Sequence, residues 1–394
     1  MTKKGVSSIN QEICELCLDC GFDFFSSLPC SYNVDLIHEI QDYREVISVP
    51  LVREESGVAL SAGAFLGGRK TAMIIQNQGL GNMEGQLLAL NSHFEGSYRF
   101  PNLYIISHRG IGREKIQAQK PMGQATVKIL NKPGIKQCSV ESHSDLEKAG
   151  KLLKEYEKGY AIALTVKPRY GKKQTNVETF EKKLRNLEGC KLPSIQIQAN
   201  MTRHEAISTI ANQIADEFIV SNMGFSSREL YYTKDRERNF YLTSSLGQTF
   251  MLALGLALTI KDINEKIVCL EGDGGLLMNS GSLTLVADQG PENLIMVVLD
   301  NGVYGSTGNI PTHTSEGLNL GAVALVHGFP KSNILVAENQ DKICEALDCS
   351  LNKDGPFFIH VILKPGNADV PVIPLENTEI KARFIKSIQK ARNQ

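Results

Sequence analysis

Short apolar runs alternate with segments of helical period along most of the chain. The runs are rich in β-branched residues and include AMII from Ala72, LYII from Leu103, IVCL from Ile267 and LIMVVL from Leu294. Strands that are apolar throughout, rather than alternately apolar and polar, are typical of parallel sheets covered by helices on both faces. The pattern therefore predicts an α/β protein built from doubly wound parallel sheets.

The second half of the chain repeats the order of elements in the first half. The matching segments are 9–20 and 203–214, 23–27 and 217–221, 57–68 and 250–258, 72–82 and 266–279, and 161–168 and 357–365. Between the halves lies a stretch rich in Lys, Glu, Asn and Gln that has no strand pattern. We expect two homologous domains, residues 1–170 and 201–394, joined by a linker at 171–200.

The composition of the chain argues against nucleic acid and membranes as binding partners. Lys and Arg number 42 against 43 Asp and Glu, so the chain has no overall basic field to attract nucleic acid or an anionic membrane. The longest apolar run, 250–260, is well short of the roughly 18 residues of a membrane span. Nine cysteines without an apolar signal segment favour reduced thiols. These features predict a cytoplasmic protein that binds neither nucleic acid nor membranes.

Polar residues follow two neighbouring strands of the second half. Gly272, Asp273, Gly274 and Gly275 follow one strand, and Asp300-Asn301 follows the next. Glycines let the backbone approach a phosphate, while Asp273 and Asn301 offer oxygen ligands of the kind that Mg²⁺ binds. A GDGG sequence alone could equally be an ordinary strand-to-helix turn. The presence of Asn301 at the end of the next strand is what makes a metal site the more specific interpretation.

This arrangement resembles the thiamin-diphosphate motif, GDG followed some 25 to 30 residues later by Asn-Asn. The resemblance implies that Asp273, Asn301 and the carbonyl of Val303 bind the metal. Enzymes of this kind also need a carboxylate against N1′ of the aminopyrimidine, nine residues before a helix glycine. Glu54 has that offset from Gly63, and Glu55 is the alternative. An acidic pair at the first turn of a helix has a plain structural explanation as well, through the helix dipole.

Further cofactor contacts are implied by the same resemblance. Leu246 should be the bulky residue that bends the cofactor, beside Gly247. Residues near a helix N-terminus should hold the diphosphate, where N–H groups favour anions. These residues are Gly224, Ser226, Ser227 and Arg228. Asn77 and Gly79, in the sequence QNQGLGN, are also expected at the cofactor.

Seven motifs together are similar to those of the sulfopyruvate decarboxylase family, with the α and β subunits fused and no middle domain. They are SLPCS, REESG, QNQGLGN, ISHRG, SRELY, GDGGLLMN and LDNGVYGSTG. The resemblance implies decarboxylation of a small anionic 2-oxoacid with thiamin diphosphate and Mg²⁺, in coenzyme M biosynthesis. It also implies a homodimer or homotetramer with active sites at subunit interfaces. Phosphonopyruvate decarboxylases have similar motifs and supply the first alternative.

The substrate is expected to meet Cys30, His108 and Arg109. The loop 108–120 also carries Arg113, Lys115 and Lys120 against Glu114 alone. This excess suggests an anion site, although a solvated basic face is the alternative. A neutral Cys30 favours a sulfonate, because a phosphonate can share a proton with an acidic group.

Two other functions remain open. Cys14, Cys17 and Cys20 have a spacing that could open an iron–sulfur site, which would suit a 2-oxoacid oxidoreductase. Their helical period favours small side chains packed in the core instead. A thiamin-diphosphate-binding protein without catalytic activity is the third possibility. His360 lies inside a strand pattern and is expected to be structural.

Overall fold

The computed structural model describes residues 8–167 and 199–394. The expected linker falls almost wholly outside these residues, so the domain boundaries placed there stay a prediction. The two described ranges contain one large parallel sheet each.

The first half forms a six-stranded parallel sheet in the order β2-β1-β3-β4-β6-β5. Its strands are β1 (Phe24–Ser27), β2 (Ile47–Pro50), β3 (Thr71–Gln76), β4 (Leu103–Ser107), β5 (Lys136–Val140) and β6 (Ile162–Val166). Its helices are α1 (Ile9–Asp19), α2 (Val34–Gln41), α3 (Glu54–Leu66), α4 (Leu80–Gln86), α5 (Lys120–Asn131) and α6 (Leu146–Leu153).

The second half contains another six-stranded parallel sheet and a short antiparallel hairpin, β11-β12. Its strands are β7 (Phe218–Ser221), β8 (Asn239–Tyr241), β9 (Ile267–Gly272), β10 (Leu294–Asp300), β11 (Val303–Tyr304), β12 (Ile310–Pro311), β13 (Ile334–Ala337) and β14 (Phe357–Ile362). Its helices are α7 (Arg203–Gln213), α8 (Phe225–Lys234), α9 (Thr249–Thr259), α10 (Asp273–Met278), α11 (Leu283–Gln289), α12 (Leu320–His327), α13 (Gln340–Leu351) and α14 (Asn377–Arg392).

The two sheets have the same strand order. From the corresponding edge, the second sheet runs β8-β7-β9-β10-β14-β13, which matches the first sheet strand for strand once the inserted hairpin is set aside. The predicted α/β class and the internal repeat are therefore confirmed. Parallel strands end at one edge of their sheet, so the polar segments after β7, β9 and β10 are brought to one side.

The halves meet where α3 crosses α9. A Cβ atom on Gly63 would overlap the carbonyl of Leu252, and one on Gly255 would overlap the carbonyl of Leu60. The missing side chains let the two backbones touch, and almost every residue of both helices is buried. This explains why two apolar, glycine-centred helices recur in the sequence.

Contacts far from this crossing also tie the halves together. The Tyr98 hydroxyl donates to the carbonyl of Tyr241 (2.6 Å) and accepts from the Thr243 N–H (2.9 Å). In α14, the Arg392 guanidinium donates to the carbonyls of Gly67 (2.8 Å) and Thr259 (3.2 Å). One arginine thus binds the end of α3 and the end of α9 at once.

The cysteines of α1 lie in the protein interior as the helical period predicted. Cys14 and Cys17 pack in an apolar cluster with Phe25 and Ile37, while Cys20 is partly exposed. Burial raises the pKa of Cys14 to about 11 and that of Cys17 still further. Such thiols are protonated at neutral pH and face the core rather than a cluster site.

Within the described ranges, no helix is both long enough and apolar enough to cross a membrane.

Candidate active site

The start of α3 lies against the second half at the end of α10. Asn279, buried at that end, donates from Nδ2 to the Ser56 hydroxyl (3.0 Å) and to the carbonyl of Gly247 (3.0 Å). Arg53 donates to the carbonyl of Met278 (3.2 Å). The first turn of α3 is therefore fixed beside the turn that carries Leu246 and Gly247.

Glu54 is the first residue of α3 and projects onto the turn before α4. Asn82 donates to its carboxylate at 3.0 Å. A Cβ atom on Gly79 would lie 2.5 Å from the carboxyl carbon of Glu54, so only glycine leaves room for the carboxylate there. Gly79 therefore packs directly against the Glu54 carboxylate.

Glu55, the alternative, has a different environment. Its carboxylate pairs with Arg53 at 2.7 Å, and its side chain is 15% exposed. Burial raises its pKa, although the Arg53 charge opposes the rise. Because Glu55 is engaged by a cation and Glu54 is held only by an amide, the geometry favours Glu54 as the group that meets a ligand.

Asp273 and Asp300 are linked by a threonine hydroxyl. The Thr314 hydroxyl donates to Asp300 Oδ1 (2.7 Å) and to Asp273 Oδ2 (3.0 Å). The Thr312 hydroxyl also donates to Asp273. Asp300 Oδ2 meets His360 Nε2 at 2.8 Å. The ends of β9, β10 and β14 are thus joined in one hydrogen-bonded chain.

The residues at this edge fit a divalent cation. Burial, together with the nearby charge of Asp300, raises the pKa of Asp273, so an added cation would stabilise its ionised form. Asn301 is 4% exposed, and its Nδ2 has no hydrogen-bond partner in the part of the chain that the structure describes. Its Oδ1 receives only a long bond from the Val303 N–H (3.3 Å). An under-used amide beside a buried carboxylate suits Mg²⁺, which takes few protein ligands.

The GDGG segment forms the start of a helix instead of a loop. Gly272 ends β9 and precedes α10, and Gly274 and Gly275 lie in the first turn of α10. The Tyr304 ring, from β11, packs on Gly274. The helix brings backbone N–H groups to the strand edge beside Asp273.

The turn before α9 has an unusual backbone. Ser245 and Gly247 both have positive φ, 63° and 80°, and they flank the half-buried Leu246. A Cβ atom on Gly247 would lie 2.9 Å from the carbonyl of Gly275. Non-glycine residues with positive φ are strained and are concentrated at functional sites. The turn therefore lies beside the GDGG helix with Leu246 at its centre, and the expected contact of Leu246 with the bent cofactor stays a prediction.

The start of α8 agrees only in part with the expected diphosphate contacts. Gly224 caps the helix with φ 80°, and a Cβ atom on it would lie 4.0 Å from Ser306 Oγ, while the buried Ser226 follows in the first turn. Ser227 is different, because its hydroxyl meets Ser221 Oγ (2.7 Å) and donates to the Asn222 carbonyl (2.8 Å). Its N–H also donates to the Asn222 carbonyl (3.1 Å).

The polar groups of Ser227 are therefore occupied inside the protein, and its expected contact with the diphosphate stays a prediction. The guanidinium of Arg228 lies 5.1 Å from the centre of the Phe225 ring, in cation–π contact. This stacking keeps Arg228 beside the helix start, where its contact with a diphosphate stays a prediction.

The expected substrate residues come together through Tyr32. Arg109 lies over the Tyr32 ring (4.8 Å), two residues from Cys30, which is partly exposed. Arg109 also makes two 3.0 Å bonds to Glu114 and holds the pKa of Glu114 at about 2. Two of the three guanidinium nitrogens are thus occupied, and a contact between Arg109 and the substrate stays a prediction. His108 Nε2 donates to a backbone carbonyl at 3.0 Å.

Asn77 is completely buried and bonds to the protein on every side. Its amide donates to the carbonyl of Arg109 and to Thr126 Oγ1, both at 2.9 Å, and accepts from the Arg109 N–H at 3.1 Å. The polar groups of Asn77 are thus engaged within the protein, and its expected contact with the cofactor stays a prediction. Asn77 fixes Arg109, in the loop 108–120, to the turn that supports Glu54.

Several residues of the site were not expected from the sequence. Thr312 and Thr314 follow a hairpin that has no strong strand pattern, and His360 was expected to be structural. Glu271 is visible in the sequence as a charged residue that interrupts the apolar run of β9. His360 likewise stands inside an apolar strand, next to the metal motif in space.

Comparisons with known proteins agree with this geometry. Residues 222–361 match the family model for the thiamine pyrophosphate enzyme, C-terminal TPP binding domain. The chain is also 32% identical to the sulfopyruvate decarboxylase of Methanosarcina acetivorans over 390 residues, which cover 96% of this chain and 97% of that one. The chain belongs to the sulfopyruvate decarboxylase family.

Two further relatives and one solved structure are also similar to this chain. The sulfopyruvate decarboxylase subunit beta of Methanothermobacter thermautotrophicus is 44% identical and covers 48% of this chain with 97% of its own length. The phosphonopyruvate decarboxylase of Streptomyces viridochromogenes is 30% identical over 89% of this chain and 87% of its own. The crystal structure of benzoylformate decarboxylase from Polynucleobacter necessarius shares the fold, with a TM-score of 0.65 at 13% identity over 92% of this chain and 99% of that one.

Membership of the family makes the chain a thiamin-diphosphate-dependent decarboxylase. It combines in one polypeptide what some family members divide between subunits.

Proposed function

We propose that this chain converts 3-sulfopyruvate into sulfoacetaldehyde and CO₂, within coenzyme M biosynthesis. The observation that carries the proposal is the bridge through Asn279, which joins the first turn of α3, with Glu54, to the Leu246–Gly247 turn. An activating carboxylate and a GDGG half are thereby held in one site. Relatives of nearly the same length that act on sulfopyruvate supply the substrate.

The residues at the strand edge fit the cofactor and its metal. Asp273, Asn301 and the carbonyl of Val303 would hold Mg²⁺, while the starts of α8 and α10 would face the diphosphate. When bound, thiamin diphosphate supplies the carbon nucleophile and the electron sink that decarboxylation needs. Glu54 would exchange a proton with N1′ of the aminopyrimidine, and Leu246 would support the bent cofactor.

The substrate end favours a monoanion. Position 30 carries a thiol and not a carboxyl group, and Glu114 is already engaged by Arg109. Among the residues named for this end of the site, none is an unpaired acidic side chain that could share the proton of a phosphonate. The exposed Arg113 and Lys115 keep the loop positive. These features support sulfopyruvate, while phosphonopyruvate remains the competing substrate because a related enzyme of similar length acts on it.

We also propose that the chain works as a homodimer or homotetramer whose subunits share active sites. Family members with separate α and β subunits show that the two halves can meet as different chains. The contact between α3 and the end of α10 occurs here within one chain. Two chains that exchange halves can make the same contact, because its surfaces are unchanged by the exchange.

Substitution of Glu54 tests the proposed chemistry. Glu54→Gln keeps the shape of the side chain but cannot exchange the proton, so we expect kcat to fall by about a hundredfold or more. Glu55→Gln is the matched control, since it changes the neighbouring carboxylate, and it should leave kcat within about threefold. Binding of thiamin diphosphate is measured for both variants. Near-normal turnover of Glu54→Gln with the cofactor bound would rule out this role.

A further inference from the structure

Strand β9 contains a carboxyl group that the proposed chemistry does not use. Glu271 is 0% exposed and stands between Leu270 and Gly272, in a strand whose other side chains are apolar. Burial raises its pKa to about 7. Burying a carboxyl group is costly unless other groups bond to it, so its position in the middle of the cofactor half needs a reason.

The carboxyl group is packed into the GDGG turn. Glu271 Oε1 accepts from the N–H of Gly272 at 3.0 Å. A Cβ atom on Gly275 would overlap the same oxygen, so the carboxyl group occupies the space that a side chain at position 275 would fill. Glu271 therefore holds both ends of the turn that surrounds Asp273.

The same carboxyl group reaches the start of α9. Thr249 and the N–H groups of Thr249 and Phe250 lie beside it and oppose the effect of burial on its pKa, while its Oε2 has no hydrogen-bond partner among the described residues. Thr249 directly follows the turn that presents Leu246. A single side chain is thus in contact with the segment expected at the diphosphate and the segment expected at the aminopyrimidine.

Asn222 joins the third strand end to this group. Its Oδ1 accepts from the Met223 N–H (2.8 Å) and from the Thr249 hydroxyl (3.3 Å). Its Nδ2 lies beside the Cα atoms of Gly272 and Gly275. The segments after β7, β8 and β9 consequently meet around one buried carboxyl group.

We propose that Glu271 is a positioning residue that holds the GDGG turn against the start of α9. It would thereby fix the distance between the two ends of the cofactor site. This inference rests on the proposed cofactor site, but it assigns to Glu271 a role that is separate from metal binding by Asp273 and from proton exchange by Glu54. A carboxyl group with only a packing role would affect stability without affecting cofactor affinity.

The test is the dissociation constant of thiamin diphosphate, measured by calorimetry with saturating Mg²⁺, for Glu271→Asp, Glu271→Ala and Glu271→Gln. Asp draws the carboxyl group back by one methylene from the space beside Gly275, and Ala removes the group. We expect both to weaken binding by about tenfold or more, as partners of site residues commonly do. Gln keeps the length and the accepting oxygen and should remain within about threefold of wild type. Melting temperatures without cofactor report stability separately.

Cys269→Ala is the matched control. Cys269 is equally buried, two residues earlier on the same face of β9, so its truncation should lower the melting temperature and leave the dissociation constant unchanged. Wild-type affinity in Glu271→Asp would overturn the inference, as would an equal loss of affinity in Cys269→Ala. If Glu271→Ala does not fold, Asp and Gln decide alone. Failure of the wild type to bind thiamin diphosphate would contradict the proposed function as well.

Discussion

At the scale of single residues, the site depends on which charges already have partners. Arg109 is expected to contact the substrate, but two of its nitrogens bond to Glu114, and both side chains are less than a tenth exposed. The substrate loop is consequently less positive than its composition suggests. The pair fixes the shape of the loop, and Arg113 and Lys115 supply its remaining charge.

This pair predicts a pH-dependent stability. Arg109 holds the pKa of Glu114 at about 2, below the ordinary 4.5, so the stabilisation is complete above about pH 4.5 and is lost as the pH falls towards 2. Glu114→Gln should lower the free energy of unfolding by about 2 kcal/mol at pH 7. Urea unfolding of both proteins at several pH values measures the difference, which should shrink on acidification.

The exposed pair Glu147–Lys151 provides the control for that experiment. Its side chains are 79% and 72% exposed, so Glu147→Gln should change the free energy of unfolding by less than about 0.5 kcal/mol. An equal effect of the two substitutions, or a Glu114 effect that does not vary with pH, would contradict a buried ion pair.

Residue types and spacing predicted part of this site but not its internal bonds. Glu54, Asp273 and Asn301 could be placed because a strand end or a helix start fixes each of them locally. The partners of Asn77 and Ser227 could not, since a hydrogen bond to Arg109 or to Asn222 depends on how separate segments fold together. The same limit applies to His360, whose bond to Asp300 joins two strands far apart in sequence.

At the scale of elements, the chain is two copies of one sheet joined by a helix crossing. The strands and the paired helices α3 and α9 were predictable, because continuous apolar runs are strongly patterned. The helix α10 was not, since Gly-Asp-Gly-Gly reads as a turn, and its neighbours, Tyr304 of β11 and Gly247 of the turn before α9, come from other parts of the chain. The hairpin β11-β12 is too short to produce a strand pattern.

The crossing predicts a strong effect of adding one carbon atom. Gly63→Ala would place a methyl group on the backbone of Leu252, which cannot move away as a side chain can. We expect a loss of about 3 kcal/mol in the free energy of unfolding, at the upper end for overpacked cores. Gly150→Ala on α6 is the control, because its Cβ atom would meet Leu16 at an ordinary 3.6 Å. Equal urea midpoints for the two variants would show that the helices do not touch as described.

At the scale of the whole molecule, the two halves must meet for a site to exist. The crossing of α3 and α9, the Tyr98 contacts and the Arg392 bonds all join the first half to the second. These contacts explain how one chain can combine the work of two separate subunits. They also provide surfaces that two copies of the chain can exchange.

Mixing two inactive variants tests the shared site. Glu54→Gln removes the activating group from one half, and Asp273→Ala removes the metal ligand from the other. If subunits share sites, a mixed dimer contains one site with both natural groups, and an equal mixture should recover about a quarter of wild-type activity. Hetero-oligomers are verified by native mass spectrometry. Absence of activity in verified hetero-oligomers would place each site within one chain.

Substrate preference tests most directly whether the protein decarboxylates 3-sulfopyruvate. One anaerobic preparation, with thiamin diphosphate and Mg²⁺, is assayed for kcat/KM with 3-sulfopyruvate, phosphonopyruvate and pyruvate. We predict that sulfopyruvate is preferred by about tenfold or more, because the loop 108–120 is positive and its one acidic residue, Glu114, is already paired with Arg109. Preference for phosphonopyruvate, or equal use of pyruvate, would contradict the proposed function.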